Sequence, residues 1–128
     1  MMQAVLEVEV TVEKIDCAGH ADRVKEISKS NYTLNVSLAE RKRRPEGLTL
    51  SFTLEIIGAS DVASMTISGM ARLTGSESEI AESLAVGEGK TTPPVVETIY
   101  EKIYGLVYLL AGTMKVPHPL PNLVKKSS

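Results

Sequence analysis

The residues from Val95 to Met114 constrain the fold most, because their apolar positions repeat with the period of an α-helix. Tyr100, Tyr104 and Tyr108 recur at every fourth position and widen the apolar arc to roughly two-thirds of the helix circumference. A helix this apolar must be buried on more than one side, so we expect that something beyond its own sheet covers it. The main apolar stripe consists of Val95, Ile99, Ile103, Leu106, Val107, Leu109, Leu110 and Met114.

Four segments before this helix alternate apolar and polar residues, a pattern typical of half-buried β-strands. They cover residues 4–15, 32–40, 48–57 and 63–73. Turn sequences separate the last three segments, namely Arg44-Pro45-Glu46-Gly47 and Gly58-Ala59-Ser60-Asp61. Short connections between alternating strands indicate one antiparallel sheet with an apolar face and a polar face.

Helical periodicity replaces the alternation after the fourth strand. Ser76 and Glu79 match a capping box, which predicts a short helix that ends before the glycines at 87–89. Thr92 and Pro93 match the cap and the first position of the long helix, which is predicted over residues 93–114.

Pro117 ends the long helix, and the proline-rich residues 117–128 are predicted to form an extended, frayed tail. Residues 16–30 fit no regular pattern, although Asp22–Ile27 could form one helical turn. The 128 residues are therefore predicted to form a single α+β domain. In this domain a four-stranded antiparallel sheet is followed by a short helix and a long C-terminal helix that packs on the sheet.

Composition restricts the class of protein. The net charge of −2 predicts no general attraction to nucleic acid or to anionic lipid. Cys17 is the single cysteine, which excludes an intrachain disulfide and suits a reducing compartment. The uncharged part of the long helix, Ile103–Met114, has about half the length that a bilayer requires. We expect a cytoplasmic protein with no membrane insertion.

The order of these elements resembles that of the SecB-like chaperones, in which four antiparallel strands precede a long helix that ends in a Pro-Pro-Leu-type extended segment. The matching parts are the strand Met65–Leu73, the helix 93–114 and the segment Pro117–Pro121. The resemblance implies this fold, a homo-oligomer (dimer or tetramer) and, by extension, binding of unfolded polypeptide. Export chaperones of this family engage the translocation ATPase through a zinc-binding tail. The tail of this chain has no cysteine and only His118, so the resemblance does not extend to that coupling.

The candidate polypeptide-binding or subunit-interface residues lie near the long helix. Tyr100, Tyr104 and Tyr108 offer a large contact area at low entropic cost, but a helical aromatic stripe more often fills a subunit or helix–sheet interface. Alternation places Met70 on the polar face of the sheet, where a flexible thioether suits an apolar groove and where a single methionine is also ordinary. Val107 completes this set.

A cluster of four cations carries the alternative function. Arg41, Lys42, Arg43 and Arg44 lie near a predicted hairpin tip and could contact phosphate, as in a nucleic-acid-associated accessory protein. No aromatic residue is interleaved with them. Arginine and lysine at a strand edge also prevent pairing between the edges of two sheets. Nucleic acid is therefore the less favoured partner.

Catalytic signatures are weak in this sequence. His20 and His118 are far apart, with no carboxylate at ligand spacing, and Cys17 near His20 is only a weak candidate dyad. A small-molecule pocket between helix and sheet is a third possibility, for which the sequence supplies no polar constellation. We expect no enzyme, no cofactor and no metal site. The predicted function is non-catalytic binding of unfolded polypeptide, as in a chaperone that holds clients on an apolar surface near the long helix.

Overall fold

A computed structural model describes residues 6–20, 32–58, 62–86, 92–119, 121 and 123. In chain order, the elements are β1 (Glu7–Gly19), β2 (Tyr32–Arg44), β3 (Gly47–Gly58), β4 (Ala63–Thr74), α1 (Glu77–Leu84) and α2 (Pro94–Met114). All neighbouring strands are antiparallel, and their order across the sheet is β1–β4–β3–β2. This is the α+β architecture that the sequence predicts, with β1 and β2 at the two edges of the sheet.

The central strands β3 and β4 supply most of the core. Their inward side chains alternate with outward ones that are mostly polar, which is the pattern of a sheet with one buried face. Helix α2 packs on that face. The buried residues of the two strands include Leu48, Leu50, Phe52, Leu54, Ile56, Met65, Ile67, Ala71 and Leu73, and those of α2 include Val95, Val96, Ile99, Tyr100, Ile103, Val107 and Ala111.

Both edge strands run further than predicted, because each contains an irregularity that shifts its alternation. In β1 the register shifts at Glu13, so that Val12 pairs with Gly69 while Lys14 pairs with Ser68. In β2 it shifts at Arg41, between Glu40 and Lys42. One extra residue in a bulge interrupts a period of two, and the strand then continues in the other phase. The predicted ends at residues 15 and 40 are therefore wrong by four residues each.

The helix starts follow local chemistry. The Ser76 hydroxyl accepts the Glu79 N–H at 3.2 Å and the Glu79 carboxylate accepts the Ser76 N–H at 2.9 Å, which confirms the predicted capping box. Helix α2 starts at Pro94, one residue later than predicted. Pro93 precedes another proline, which disfavours helical angles, and it is the N-cap with φ −70° and ψ 153°. Thr92 thus lies one residue before the cap.

Several predicted connections lie outside the described residues. These are positions 59–61 of the second turn, the glycine-containing connector after α1, and the helical turn considered within residues 16–30. The turn between β2 and β3 is described and is confirmed. Arg44 pairs with Gly47, and Pro45 and Glu46 form the two-residue connection.

Candidate functional site

Helix α2 crosses the sheet diagonally. Near its start, Val96 lines the same groove as Leu34 of β2, whereas at its other end Met114 lies against Gly19 of β1. A helix with its side chains is about 10 Å wide and neighbouring strands lie about 4.8 Å apart, so one helix covers about two strands. The inward side chains of the edge strands are consequently only partly buried, and two opposite corners of the apolar face extend beyond the helix.

One corner is an open groove between β1 and α2, which we call the β1 groove. It measures about 1050 Å³. Its floor is the partly buried apolar row of β1, and its wall is formed by Ile103 and Leu106 of α2. Charged residues from the strands and from the helix lie around it, including Arg72 and Lys102. The floor residues are Leu6, Val8, Val10 and Val12.

The backbone of β1 adds a second feature to this groove. Within the described part of the chain, β1 pairs only with β4, so its outer edge presents unpaired N–H and C=O groups beside the apolar floor. The outward side chains of this edge include Glu7, Glu9 and Glu13, which are exposed. The groove therefore combines an apolar floor, an open backbone edge and acidic residues on the outer face.

The opposite corner is covered by the chain itself. After α2, the residues that follow Lys115 turn back along the helix toward its start. The Tyr32 hydroxyl donates a hydrogen bond to the Pro117 carbonyl at 2.6 Å, and the Tyr104 hydroxyl donates one to the Pro119 carbonyl at 2.6 Å. The predicted tail 117–128 is thus held at its first residues, and Leu123 is buried. The residues from 124 onward lie outside the described part.

The three helix tyrosines differ in environment. Tyr100 is buried in the core, with its ring centroid 5.7 Å from that of Tyr104. Tyr104 is partly buried, and its ring lies 6.3 Å from that of Tyr108. Tyr108 is 55% exposed, and its ring stacks on His118 with the centroids 4.0 Å apart. The tyrosine stripe therefore runs from the core to the surface.

Burial raises the pKa of the hydroxyls of Tyr32, Tyr100 and Tyr104. Desolvation raises the pKa of Tyr32 to about 12. Desolvation, and secondarily the neighbouring tyrosine, raise the pKa values of Tyr100 and Tyr104 above the ordinary value of 10.0. The neutral hydroxyls are therefore favoured, and a neutral hydroxyl can donate the hydrogen bonds to Pro117 and Pro119.

Met70 and Val107 lie in different environments. Met70 is on the outward face of the central strand β4, in register with Thr11 and Ser51, and it is partly buried. Val107 is fully buried beneath α2. The structure thus brings neither residue to the β1 groove.

The cationic cluster is partly engaged within the chain. Arg43 donates two hydrogen bonds to Glu40, at 2.8 and 3.1 Å, and Arg41 donates one to the Ser51 hydroxyl at 3.1 Å. The bond from Arg43 lowers the pKa of the Glu40 carboxyl. Arg44 lines a shallow pocket at the β2–β3 turn. Sequence reasoning missed the part of Glu40, because residues three apart on a regular strand lie on opposite faces and the pair spans the bulge at Arg41.

Three residues were considered for catalysis, namely Cys17, His20 and His118. Cys17 is an exposed free thiol on β1, and the His20 backbone N–H bonds to the Val62 carbonyl at 2.8 Å. In the described segments, no three His, Cys, Asp or Glu side chains form a group that could hold a metal ion. Across the same segments, no helix is sufficiently long and apolar to cross a membrane.

Comparison with known proteins identifies the fold. No protein-family model matches the chain, and no curated protein matches its sequence. Among solved structures, the Mycobacterium tuberculosis Rv1957 SecB-like chaperone, in complex with a ChAD peptide from the Rv1956 HigA1 antitoxin, is similar with a TM-score of 0.58. The match covers 90% of this chain and 87% of that chain at 17% sequence identity. A protein of unknown function from Streptococcus agalactiae matches with a TM-score of 0.41 at 16% identity, over 91% of this chain and 96% of that one. By the first likeness, the chain has the fold of the SecB-like chaperones.

Proposed function

We propose that this chain is a non-catalytic polypeptide-binding protein, a chaperone that holds extended apolar segments of unfolded clients in the β1 groove. One observation carries the proposal. A row of inward apolar side chains on β1, with Val10 near its middle, remains only partly buried and faces Ile103 and Leu106 across a groove of about 1050 Å³. Such incompletely covered apolar surface is typical of interaction sites.

The open edge of β1 gives the groove a means of holding backbone. An extended segment beside β1 would add a strand to the sheet, and its main-chain groups would bond to the unpaired N–H and C=O groups of β1. Alternate side chains of that segment would then enter the groove and complete the burial of Val8, Val10 and Val12. Main-chain bonds do not depend on sequence, which suits a protein that accepts many clients.

The outer face of the same strand favours clients of a particular charge. Glu7, Glu9 and Glu13 are exposed along β1, and Glu7 and Glu9 also line the groove. The outward side chains of an added strand would lie beside these carboxylates, where basic residues are attracted and acidic residues are repelled. We therefore infer a preference for segments that alternate apolar and basic residues.

Two further observations support this function. The structurally similar Rv1957 is described in complex with a peptide from an antitoxin, so one protein of this fold binds polypeptide. In this chain, hydrogen bonds from Tyr32 and Tyr104 hold residues 117–119 at the opposite corner of the sheet, which supports polypeptide backbone as an occupant of such a corner.

We also propose that the protein is a homo-oligomer, a dimer or tetramer, that acts in the cytoplasm. Tyr108 and Leu109 are 55% and 64% exposed on the outer surface of α2, and a second copy could cover them. Exposed large apolar residues side by side on a helix favour such packing. The free thiol of Cys17 suits a reducing compartment.

The nucleic-acid alternative has less support. It depends on Arg41, Lys42, Arg43 and Arg44, and two of these four side chains already donate hydrogen bonds within the chain. A site that binds phosphate would have to compete with Glu40 for Arg43. The β1 groove requires no such competition.

Suppression of aggregation tests the proposal. The assay measures light scattering from a chemically denatured model protein diluted into buffer with and without this protein. The substitution Val10→Glu places a charge on the floor of the groove, and Thr11→Glu places the same charge on the outer face of the next residue. We expect Val10→Glu to reduce suppression at least fivefold and Thr11→Glu to change it less than twofold, with both variants folded by circular dichroism. Equal suppression by Val10→Glu and the unchanged chain would refute the groove as the client site.

A further inference from the structure

The residues that follow α2 form a strap over one side of the helix. We define the strap as residues 117–119, 121 and 123, and the tyrosine face as the surface formed by Tyr32, Tyr100, Tyr104 and Tyr108. His118 stacks on Tyr108, and Pro119 accepts the hydrogen bond from Tyr104, one turn nearer the start of the helix. The strap therefore runs antiparallel to α2, with Leu123 buried at its far end.

The tyrosine face holds the strap through its backbone. Both hydroxyls donate to main-chain carbonyls, those of Pro117 and Pro119, which lie two residues apart. A carbonyl is offered by every residue, so these bonds do not select the side chains of the strap. Proline has a fixed φ angle, which favours an extended chain. It also lacks a backbone N–H group, so no donor is left without a partner against the aromatic surface. Aromatic grooves recognise extended proline-rich segments in this way.

The two hydroxyl donors come from different elements, β2 and α2. Because Tyr32 belongs to the sheet and Tyr104 to the helix, a segment bound to both must lie in the corner between them. The hydroxyls thus define a path for an extended chain rather than a single contact point. Tyr100 lies beneath this path as part of the core.

The same path continues beyond the strap. Val96, Tyr100 and Tyr104 follow one another at a spacing of four along one side of α2. Near Val96, the helix and β2 enclose a groove of about 380 Å³, whose apolar lining includes Leu34 and Val36. An extended segment longer than the strap would therefore find a further apolar surface at the N-terminal end of α2.

We propose that the tyrosine face is a second polypeptide-binding site, which takes extended proline-containing segments, and that the strap is its resident occupant. This site lies across α2 from the β1 groove and does not rest on the function proposed for that groove. Because the strap is tethered to the site, its effective concentration is of the order of millimolar, and a segment from another molecule must compete with it. The unchanged chain should therefore bind such a segment weakly, and a chain with a loosened strap should bind it well.

Binding of a synthetic peptide tests the proposal. The peptide has the sequence of residues 115–124 with a fluorophore at its N-terminus, and its binding to the full-length chain is measured by fluorescence anisotropy. The substitution Leu123→Ser removes the buried anchor of the strap and leaves every tyrosine in place. We expect the Leu123→Ser chain to bind the peptide at least tenfold more tightly than the unchanged chain does.

Two controls show whether the tyrosine face is the site. Adding Tyr104→Phe to the Leu123→Ser chain removes one hydroxyl donor and should weaken binding of the peptide about three- to tenfold. A peptide in which Pro117 and Pro119 are replaced by glycine should also bind more weakly, because its extended form is no longer favoured. If Leu123→Ser fails to fold, His118→Ala loosens the strap at the exposed ring of Tyr108 and allows the same comparison.

The proposal fails if the peptide binds neither loosened chain, or if its binding is unaffected by Tyr104→Phe. The assay contains no aggregating client, so its result is independent of the β1 groove. A chain that does not suppress aggregation could still bind the peptide. Equally, a chain that suppresses aggregation could fail to bind the peptide.

Discussion

The carbonyl oxygen of Thr11 lies so close to Gly69 on the neighbouring strand that a Cβ on Gly69 would collide with it. Val12, which pairs with Gly69, immediately precedes the bulge at Glu13. The bulge brings the β1 backbone against β4, and only a residue without a side chain permits this approach. Pairing of β1, and with it the floor of the β1 groove, therefore depends on Gly69.

We expect Gly69→Ala to lower the free energy of unfolding by about 2 to 4 kcal/mol, because the added methyl group would push β1 away from β4. Urea denaturation followed by circular dichroism measures this change. Gly105→Ala is the matched control, since nothing lies within 4 Å of a Cβ on Gly105. On helix α2 it should raise the free energy of unfolding by about 0.5 to 1 kcal/mol. Equal effects of the two substitutions would contradict the close approach at Gly69.

Alkaline pH should destabilise the protein through Tyr32. Its pKa is raised to about 12 in the folded chain from an ordinary value of 10.0, so the fold favours the neutral hydroxyl. That stabilisation is complete below about pH 10 and is lost as the pH rises through 12, with a total of about 2 to 3 kcal/mol. Tyr32→Phe cannot ionise at this position. We expect it to be about 1 kcal/mol less stable than the unchanged chain at pH 8, with the difference disappearing or reversing by pH 12. Parallel stability curves from pH 8 to pH 12 would count against this explanation.

Neutralising the cationic cluster should leave client protection intact. We expect a chain with glutamine at Arg41, Lys42, Arg43 and Arg44 to suppress aggregation within about twofold of the unchanged chain. The stability should change little, since the ion pair between Arg43 and Glu40 is exposed. Filter binding to duplex DNA at several salt concentrations tests the alternative function. Salt-sensitive binding that is lost in the neutralised chain would favour nucleic acid as the partner.

Oligomer formation should depend on the exposed apolar residues of α2. Light scattering of the unchanged chain should give two or four times its mass of 13.8 kDa. We expect Leu109→Glu to reduce the measured mass toward that of one chain, because it places a charge on a surface that a second copy would cover. Ser78→Glu, which places the same charge at an exposed position on the other helix, α1, is the control and should have little effect. A monomeric unchanged chain would contradict the oligomer and leave Leu109 open to solvent.

Patterns local in the sequence were the most reliable guide to the fold. Alternation predicted which face of each strand is buried, and Met65 and Ile67 are fully buried as expected. The capping box at Ser76 was readable because all of its atoms lie within four residues. The bulge at Glu13 was not readable from the sequence, because a bulge is defined by how a strand pairs with its neighbour and that pairing is not a local pattern.

The candidate site was predicted less completely, because it depends on distant parts of the chain. The helical wheel placed Tyr100, Tyr104 and Tyr108 on one side of α2 but gave no measure of how far the neighbouring elements reach. The bond between Tyr32 and Pro117 joins residues 85 positions apart, and no local pattern indicates it. The diagonal path of α2, which creates the open groove, is likewise a result of tertiary packing.

Lys115 determines where the strap goes. It has φ 58° and ψ 44°, a left-handed conformation that costs a non-glycine residue about 1 to 2 kcal/mol, and it turns the chain back onto its own tyrosines. With an extended Lys115, the same residues would continue away from the helix and could reach the tyrosine face of another molecule. One backbone conformation thus separates a self-contained chain from a pair that exchanges its C-terminal segments.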